Sequence, residues 1–233
     1  MRLPQSIYDQ IGFGRGLPAI FVHTPKCGGS FIAEGIGYKR ERHCFTRRYP
    51  LLKGHKTFLE YREIFPKFGL NIDNFLTFSV VRNPWSWHVS FYHYVRQLEG
   101  RNREKAERNH RLLNRVSFSE YLDWIDSPEA LSRNEIASVH NVCDWVVDET
   151  GKVAVDVVMR QECLEADFQK FIEEYGLRLS VPKKRVNASK HDDYRTYYSD
   201  NDAEVVGRRH ARDIELFKYS FGGWADSNCK CNG

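Results

Sequence analysis

Apolar residues along this chain switch between short continuous runs and helical spacing, and that switching predicts most of the elements. Ala19 to His23 is a short, largely apolar run bounded by Pro18 and Pro25, which reads as a buried strand. From Ser30 onward the apolar positions Phe31, Ile32 and Ile36 take helical spacing, leaving Thr24 to Gly29 as a tight loop. Thr57 and Glu60 form a capping-box pattern that opens a second helix ending near Gly69. Phe75 to Val81 is the second strand. Asn83 as N-cap and Pro84 at the first helical position then start an aromatic-rich helix, running to about Leu98 and closed by Gly100. Ser117 and Glu120 make another capping box before Tyr121, Leu122 and Trp124. Val142 to Val147 and Val153 to Met159 flank Asp148-Glu-Thr-Gly151 and read as a β-hairpin. Ala166 to Tyr175 is a helix ended by Gly176, and Ser199 begins a long final helix reaching about Tyr219.

Strands alternating with helices give an α/β fold class with a central, mainly parallel sheet flanked by helices, to which the hairpin is an addition. The length of 233 residues fits a single domain over residues 1–233, with a core at about 19–221 and a tail at 222–233. A hydrophobic fraction of 41% and an aromatic fraction of 14% supply a real core and exclude disordered and fibrous classes. The first ten residues lack the apolar run of a signal peptide, and no later stretch approaches ~20 apolar residues. The expectation is a soluble cytoplasmic protein without a membrane segment, or a protein of the Golgi lumen if an anchor precedes this segment. None of the cysteines 27, 44, 143, 163, 229 and 231 forms a C-x-x-C pair, so most are expected as reduced thiols. One or two disulfides in a secretory compartment is the alternative.

Charge narrows the partners. A net charge of +4 is mild for this length, and the one dense basic stretch, Arg101 to Arg115, is interrupted by Glu104 and Glu107. A nucleic-acid partner is therefore not expected, while an anionic small molecule is. The loop Pro25-Lys-Cys-Gly-Gly-Ser30 supplies the first chemistry for one. Backbone N–H groups at a helix start, glycines that allow close approach, the Lys26 cation and the Ser30 hydroxyl all suit a phosphate. A Walker loop would place its lysine after the glycines, whereas Lys26 precedes Gly28 and Gly29. Arg82 follows the second strand directly, and its planar fork suits a phosphate. Ser90 lies two turns into the next helix. A surface lysine beside a tight turn, a capping salt bridge at Arg82 and an ordinary helix serine are the bland alternatives.

Together the two segments resemble the sulfotransferases that use 3′-phosphoadenosine 5′-phosphosulfate (PAPS), in particular the carbohydrate branch of chondroitin, dermatan and heparan 2-O enzymes and its bacterial relatives. His23-Thr-Pro-Lys-Cys-Gly-Gly-Ser30 is similar to that family's 5′-phosphosulfate loop, with Ser30 in place of the commoner threonine. Val81-Arg-Asn-Pro84 with Ser90 is similar to its 3′-phosphate motif. Lys53-Gly-His55, Asp156 to Leu164, Asn187 to Lys190, Tyr194 to Tyr198 and Asp213 to Phe217 carry weaker likenesses, and Gln161 departs from an expected aromatic. The resemblance implies a P-loop-like three-layer fold. It implies PAPS as co-substrate, held by Pro25, Lys26, Cys27, Gly28, Gly29, Ser30 and Phe31 at one end and by Arg82 and Ser90 at the other. Lys26 would stabilise the leaving group, and His55 would take the acceptor's proton, neutral at physiological pH with an ordinary pKa of about 6.5. His23, His88, His93 and His191 are further candidates for the base, as are Glu60 or Glu63 if the acceptor is an amine. No metal site is expected. The acceptor would be a hydroxyl or amine on a glycan or small metabolite. Rival readings are a magnesium-dependent kinase on a related fold, against which the lysine–glycine order argues, and a non-catalytic protein binding anions or nucleic acid.

Overall fold

The computed structural model describes residues 19–36, 55–97, 113–125, 141–177, 179–183 and 191–224. In chain order the elements are strand β1 (Ala19–Val22), helix α1 (Gly29–Gly35), helix α2 (Phe58–Ile64), strand β2 (Leu76–Val81) and helix α3 (Pro84–Arg96). Helix α4 (Phe118–Ile125), strand β3 (Val157–Arg160) and helix α5 (Leu164–Glu174) follow. Helices α6 (Asp200–Arg209) and α7 (Ala211–Phe217) and a final ribbon of β4 (Tyr219–Ser220) and β5 (Gly223–Trp224) complete the described chain. These elements fall into two units, one of residues 1–81 and 143–187, the other of 82–142 and 188–233.

In the first unit β1, β2 and β3 form a parallel sheet in that order, with helices packed along it. Both faces of β2 are covered, as a parallel strand requires, and Phe78 is fully buried between Phe21 and Phe171 at centroid distances of 5.1 and 4.7 Å. Complete burial of such a ring contributes roughly 2–3 kcal/mol. The register of β3 is set beside Thr77. Its N–H and hydroxyl both donate to Asp156 Oδ2 (2.7 and 2.8 Å), and Asp156 N–H returns a bond to the Thr77 hydroxyl (3.0 Å). The expected capping box at Thr57 and Glu60 is present, and Gly69 ends the following 3-10 turn with φ 70°.

In the second unit α3 is started by Asn83, whose side-chain oxygen accepts from the N–H groups of Trp85 (3.1 Å) and Ser86 (3.4 Å). Its amide nitrogen donates to the carbonyls of Ser220 and Gly223, tying the β4–β5 ribbon to the helix start. Trp85, Trp87 and Tyr92 are buried, so these aromatics fill the core of this unit, and Tyr94 is exposed. Ser117 and Glu120 cap α4 reciprocally.

Two sequence expectations change. The hairpin at 142–159 shrinks to a single antiparallel bridge between Val147 and Val153, because Val142–Trp145 is a 3-10 turn and Asp156 draws 157–160 into the parallel sheet. The long final helix is broken at His210, a buried residue that leaves helical geometry and turns its ring toward Asp213. Cysteine chemistry is mixed: Cys27 and Cys143 are reduced and buried, but Cys163 is in a disulfide. The stretch 101–112, Lys53, Gly54 and the segment 187–190 lie outside the described residues.

Candidate functional site

β1 and β2 run side by side with Val22 opposite Ser79, so their carboxyl ends share one sheet edge, where parallel α/β sheets bind ligands. Ser79 donates its hydroxyl to the Val22 carbonyl (2.7 Å), which leaves its oxygen to accept from the Thr24 hydroxyl (2.9 Å). This buried pair anchors the loop before Lys26. Lys26 has φ 62° and Gly28 has φ 77°, both left-handed. For lysine that conformation costs about 1–2 kcal/mol, strain of the kind that gathers at functional sites. Gly28 is the N-cap of α1, and a Cβ there would run into the Leu164 side chain. A Cβ at Gly29 would overlap the His23 imidazole. The paired glycines thus let the His23 ring and α5 close onto the loop, a reason for them beyond the phosphate approach read from sequence.

His55, which is exposed, joins this loop from the start of α2. Its Nδ1 lies 2.9 Å from the His23 carbonyl oxygen, which can only accept. In the neutral ring the proton therefore sits on Nδ1, and Nε2 carries the lone pair that a base needs. The two imidazoles meet edge to face at 4.2 Å, and Trp145 packs edge to face on His55 at 6.0 Å. Trp145 was not legible as part of this cluster, since its segment reads as a strand in sequence. Glu60 is committed to its capping box, donated to by Thr57 N–H at 2.7 Å, and to Lys56 at 3.3 Å. Burial raises its pKa, but the Thr57 bond and Lys56 more than offset this and hold it below the ordinary value. That carboxylate is a poor base for an amine, and Glu63 is exposed on the same helix.

In the second unit Arg82 is buried at the start of α3, with Nε and Nη2 donating to the Ser86 hydroxyl at 3.0 and 2.9 Å. Ser86 and Ser90, four residues apart, lie on one face of α3 and are both buried. Ser86 escaped the sequence reading, although its spacing of four from Arg82 and from Ser90 is a usable signal. His88, two residues from each serine, lies on the opposite face and is wholly buried. Its Nδ1 meets the Tyr121 hydroxyl (2.9 Å) and its Nε2 meets His210 Nε2 (2.9 Å), and His210 Nδ1 reaches Asp213 Oδ2 (3.0 Å). Such a histidine cannot serve as a solvent-facing base. His93 stacks on His191 at 5.5 Å and touches Tyr197, also in this unit. Of the histidines proposed as base, His23 and His55 alone among the described residues belong to the unit that carries Lys26.

Burial, then His210 and Arg209, depress the His88 pKa well below the usual 6.5. Burial, His191 and Arg96 lower that of His93, against a smaller opposing pull from Asp192. The unfolded chain takes up these protons near pH 6.5 and the folded chain does so only at lower pH. Stability from them is therefore complete above about pH 6.5 and declines below it, by up to about 1.4 kcal/mol per pH unit for the buried His88 and by less for the part-exposed His93, whose charge solvent screens. Urea midpoints should fall between pH 7 and pH 5.5, and a folded His88→Gln variant should show a shallower fall. Carboxylates whose pKa is depressed, such as Asp202, act only below about pH 4 and do not blur this window. An unchanged slope in the variant would remove His88 as its source.

Among the described residues no group of three His, Cys, Asp or Glu side chains is placed to hold a metal ion, and no helix is long and apolar enough to cross a membrane. No curated protein and no solved structure matches the chain. The sequence pattern of the Sulfotransferase family matches residues 18–220, which takes in every described element of the core except the last strand, from the loop with Lys26 to the ribbon beside Asn83. The parallel sheet with flanking helices agrees with that assignment. The chain belongs to the sulfotransferase family.

Proposed function

We propose that the protein transfers a sulfuryl group from PAPS to a hydroxyl of an acceptor, a carbohydrate or small metabolite. The observation that carries this reading is the position of Lys26. A cation held in a left-handed turn follows one of two adjacent parallel strands, and Arg82 follows the other directly. The donor supplies an SO₃ group on a phosphate leaving group. The loop Pro25 to Phe31 suits the 5′-phosphosulfate, since its glycines keep side chains out and Lys26 and Ser30 bring a cation and a hydroxyl. Lys26 offsets the negative charge that grows on the bridge oxygen as the S–O bond breaks. Arg82, with Ser86 holding its fork and Ser90 on the same helix face, suits the 3′-phosphate dianion. His55 Nε2 takes the proton as the acceptor oxygen bonds to sulfur and the bond from sulfur to the bridge oxygen breaks. The Cys163 disulfide favours an oxidising compartment over the cytoplasm.

Radiolabelled PAPS incubated with glycans, phenols, amines and small alcohols tests the reaction, with transfer to a hydroxyl expected without added metal. A thermal-shift comparison of adenosine 3′,5′-bisphosphate alone against ATP with magnesium separates this reading from a kinase. Stabilisation by ATP–magnesium only would overturn it. By calorimetry, Arg82→Ala should weaken adenosine 3′,5′-bisphosphate binding at least 30-fold, about 2 kcal/mol, as expected for loss of a charged hydrogen-bonding partner. Unchanged affinity would remove Arg82 from the site.

A further inference from the structure

We propose that His88 is a positioning residue for the 3′-phosphate arm, and that the buried chain Asp213–His210–His88–Tyr121 sets the aim of Arg82 and Ser90. This rests on the reading of Arg82 and Ser90 as that arm. Asp213 is wholly buried, and its Oδ2 receives the Val142 N–H at 2.8 Å as well as His210 Nδ1 at 3.0 Å. An ionised carboxylate only accepts, so His210 carries its proton on Nδ1 and offers a lone pair at Nε2. His88 must then donate from its own Nε2 across 2.9 Å, which leaves His88 Nδ1 to accept the Tyr121 hydroxyl at 2.9 Å. With both rings neutral, one order of protons satisfies every group, and that order starts from Asp213.

The four side chains come from separate pieces of the unit: α3, α4, the break between α6 and α7, and α7 itself. The break at His210 is what brings its ring to the chain. Residues two apart on a helix are about 200° apart, so His88 pins the back of α3 while Ser86 and Ser90 occupy its front. A roll of α3 by about 20° would swing a side-chain tip on its outer radius by about 2 Å. Misplacement of that size is enough to spoil a bidentate phosphate contact. Removing one link leaves buried polar groups without partners and lets the helix roll.

The measurement is the ratio of affinities for adenosine 3′,5′-bisphosphate and adenosine 5′-monophosphate, by calorimetry on the full chain, because that ratio isolates the 3′-phosphate. Wild-type protein should prefer the bisphosphate strongly, and Arg82→Ala should abolish the preference. His88→Ala should cut the ratio at least tenfold, with monophosphate affinity within about twofold. Tyr121→Phe keeps the ring and deletes one hydroxyl, and Asp213→Asn keeps the shape and deletes the charge. Both should cut the ratio severalfold, and they decide the matter if His88→Ala does not fold. A ratio equal to wild type in the folded variants, even with a lowered melting temperature, means a purely structural chain and overturns the proposal. Should wild type itself show no preference, the assignment of the 3′-phosphate arm fails, and the proposal with it. Loss of preference in Arg82→Ala alone sinks the proposal and leaves that assignment standing.

Discussion

Lys26→Ala should lower kcat by about 10²–10³, the equivalent of 3–4 kcal/mol and the scale of deleting one fixed donor beside a developing oxyanion. Binding of adenosine 3′,5′-bisphosphate should weaken far less, because the amine's charge matters most when the bridge oxygen becomes negative. The backbone supplies a control. Lys26 sits at φ 62°, a region in which alanine is strained and glycine is not. Lys26→Gly removes the amine and the strain together. If the amine is what matters, both variants lose activity alike, while Lys26→Gly melts at the same temperature as wild type or higher. Near wild-type turnover in Lys26→Gly would mean that the loop's geometry, and not its charge, carries the reaction. Lys26→Arg keeps the charge but lengthens and flattens the head group, so it should recover only part of the rate.

The strands and caps were legible because local chemistry decides them. The apolar runs at 19–23 and 75–81 became β1 and β2, each one residue shorter, and the Thr57–Glu60 and Ser117–Glu120 patterns became reciprocal caps. Asn83 and Pro84 start α3 as their types dictate, although the same Asn83 side chain also holds the β4–β5 ribbon, which no local pattern announces. Where long-range partners decide, the sequence misleads. Val153 to Met159 has the alternation of a hairpin arm, yet Asp156 spends its carboxylate on Thr77, 79 residues away, and the segment joins β2 in parallel. The final helix reads as continuous because nothing local marks His210 as a break. Its reason is the buried Asp213–His210–His88 chain, whose members are spread over three elements.

The candidate site divides in the same way. Lys26, Gly28, Gly29 and Arg82 lie within contiguous motifs, so spacing alone nominates them. The contacts of His55 depend on the fold bringing residue 55 to the carbonyl of residue 23, and Trp145 arrives from some ninety positions further on. Ser86 sits between. It shares a helix face with Ser90 and accepts both donors from Arg82, but a serine inside an aromatic-rich helix gives no sign of that until the Arg82 fork is seen closing on it.

His55→Ala should lower kcat by about 10²–10⁴, the range for loss of a placed general base, with donor affinity unchanged. The test turns on separating the base from the hydrogen bond that orients it. His55→Asn keeps an amide N–H where Nδ1 now donates to the His23 carbonyl, so it preserves the local contact and supplies no basic nitrogen. It should be as inactive as the alanine variant. His55 is exposed, so the space left by alanine opens to solvent, and imidazole added to His55→Ala should restore part of the rate in proportion to its neutral form. A merely structural histidine would give the reverse: activity retained in His55→Asn, and none regained with imidazole. Retention of more than half of kcat in His55→Asn would move the base to His23, whose ring lies 4.2 Å away, centre to centre, over Gly29. That outcome would make the close packing of Gly29 against His23 a catalytic requirement, because any side chain at position 29 would displace the reacting ring.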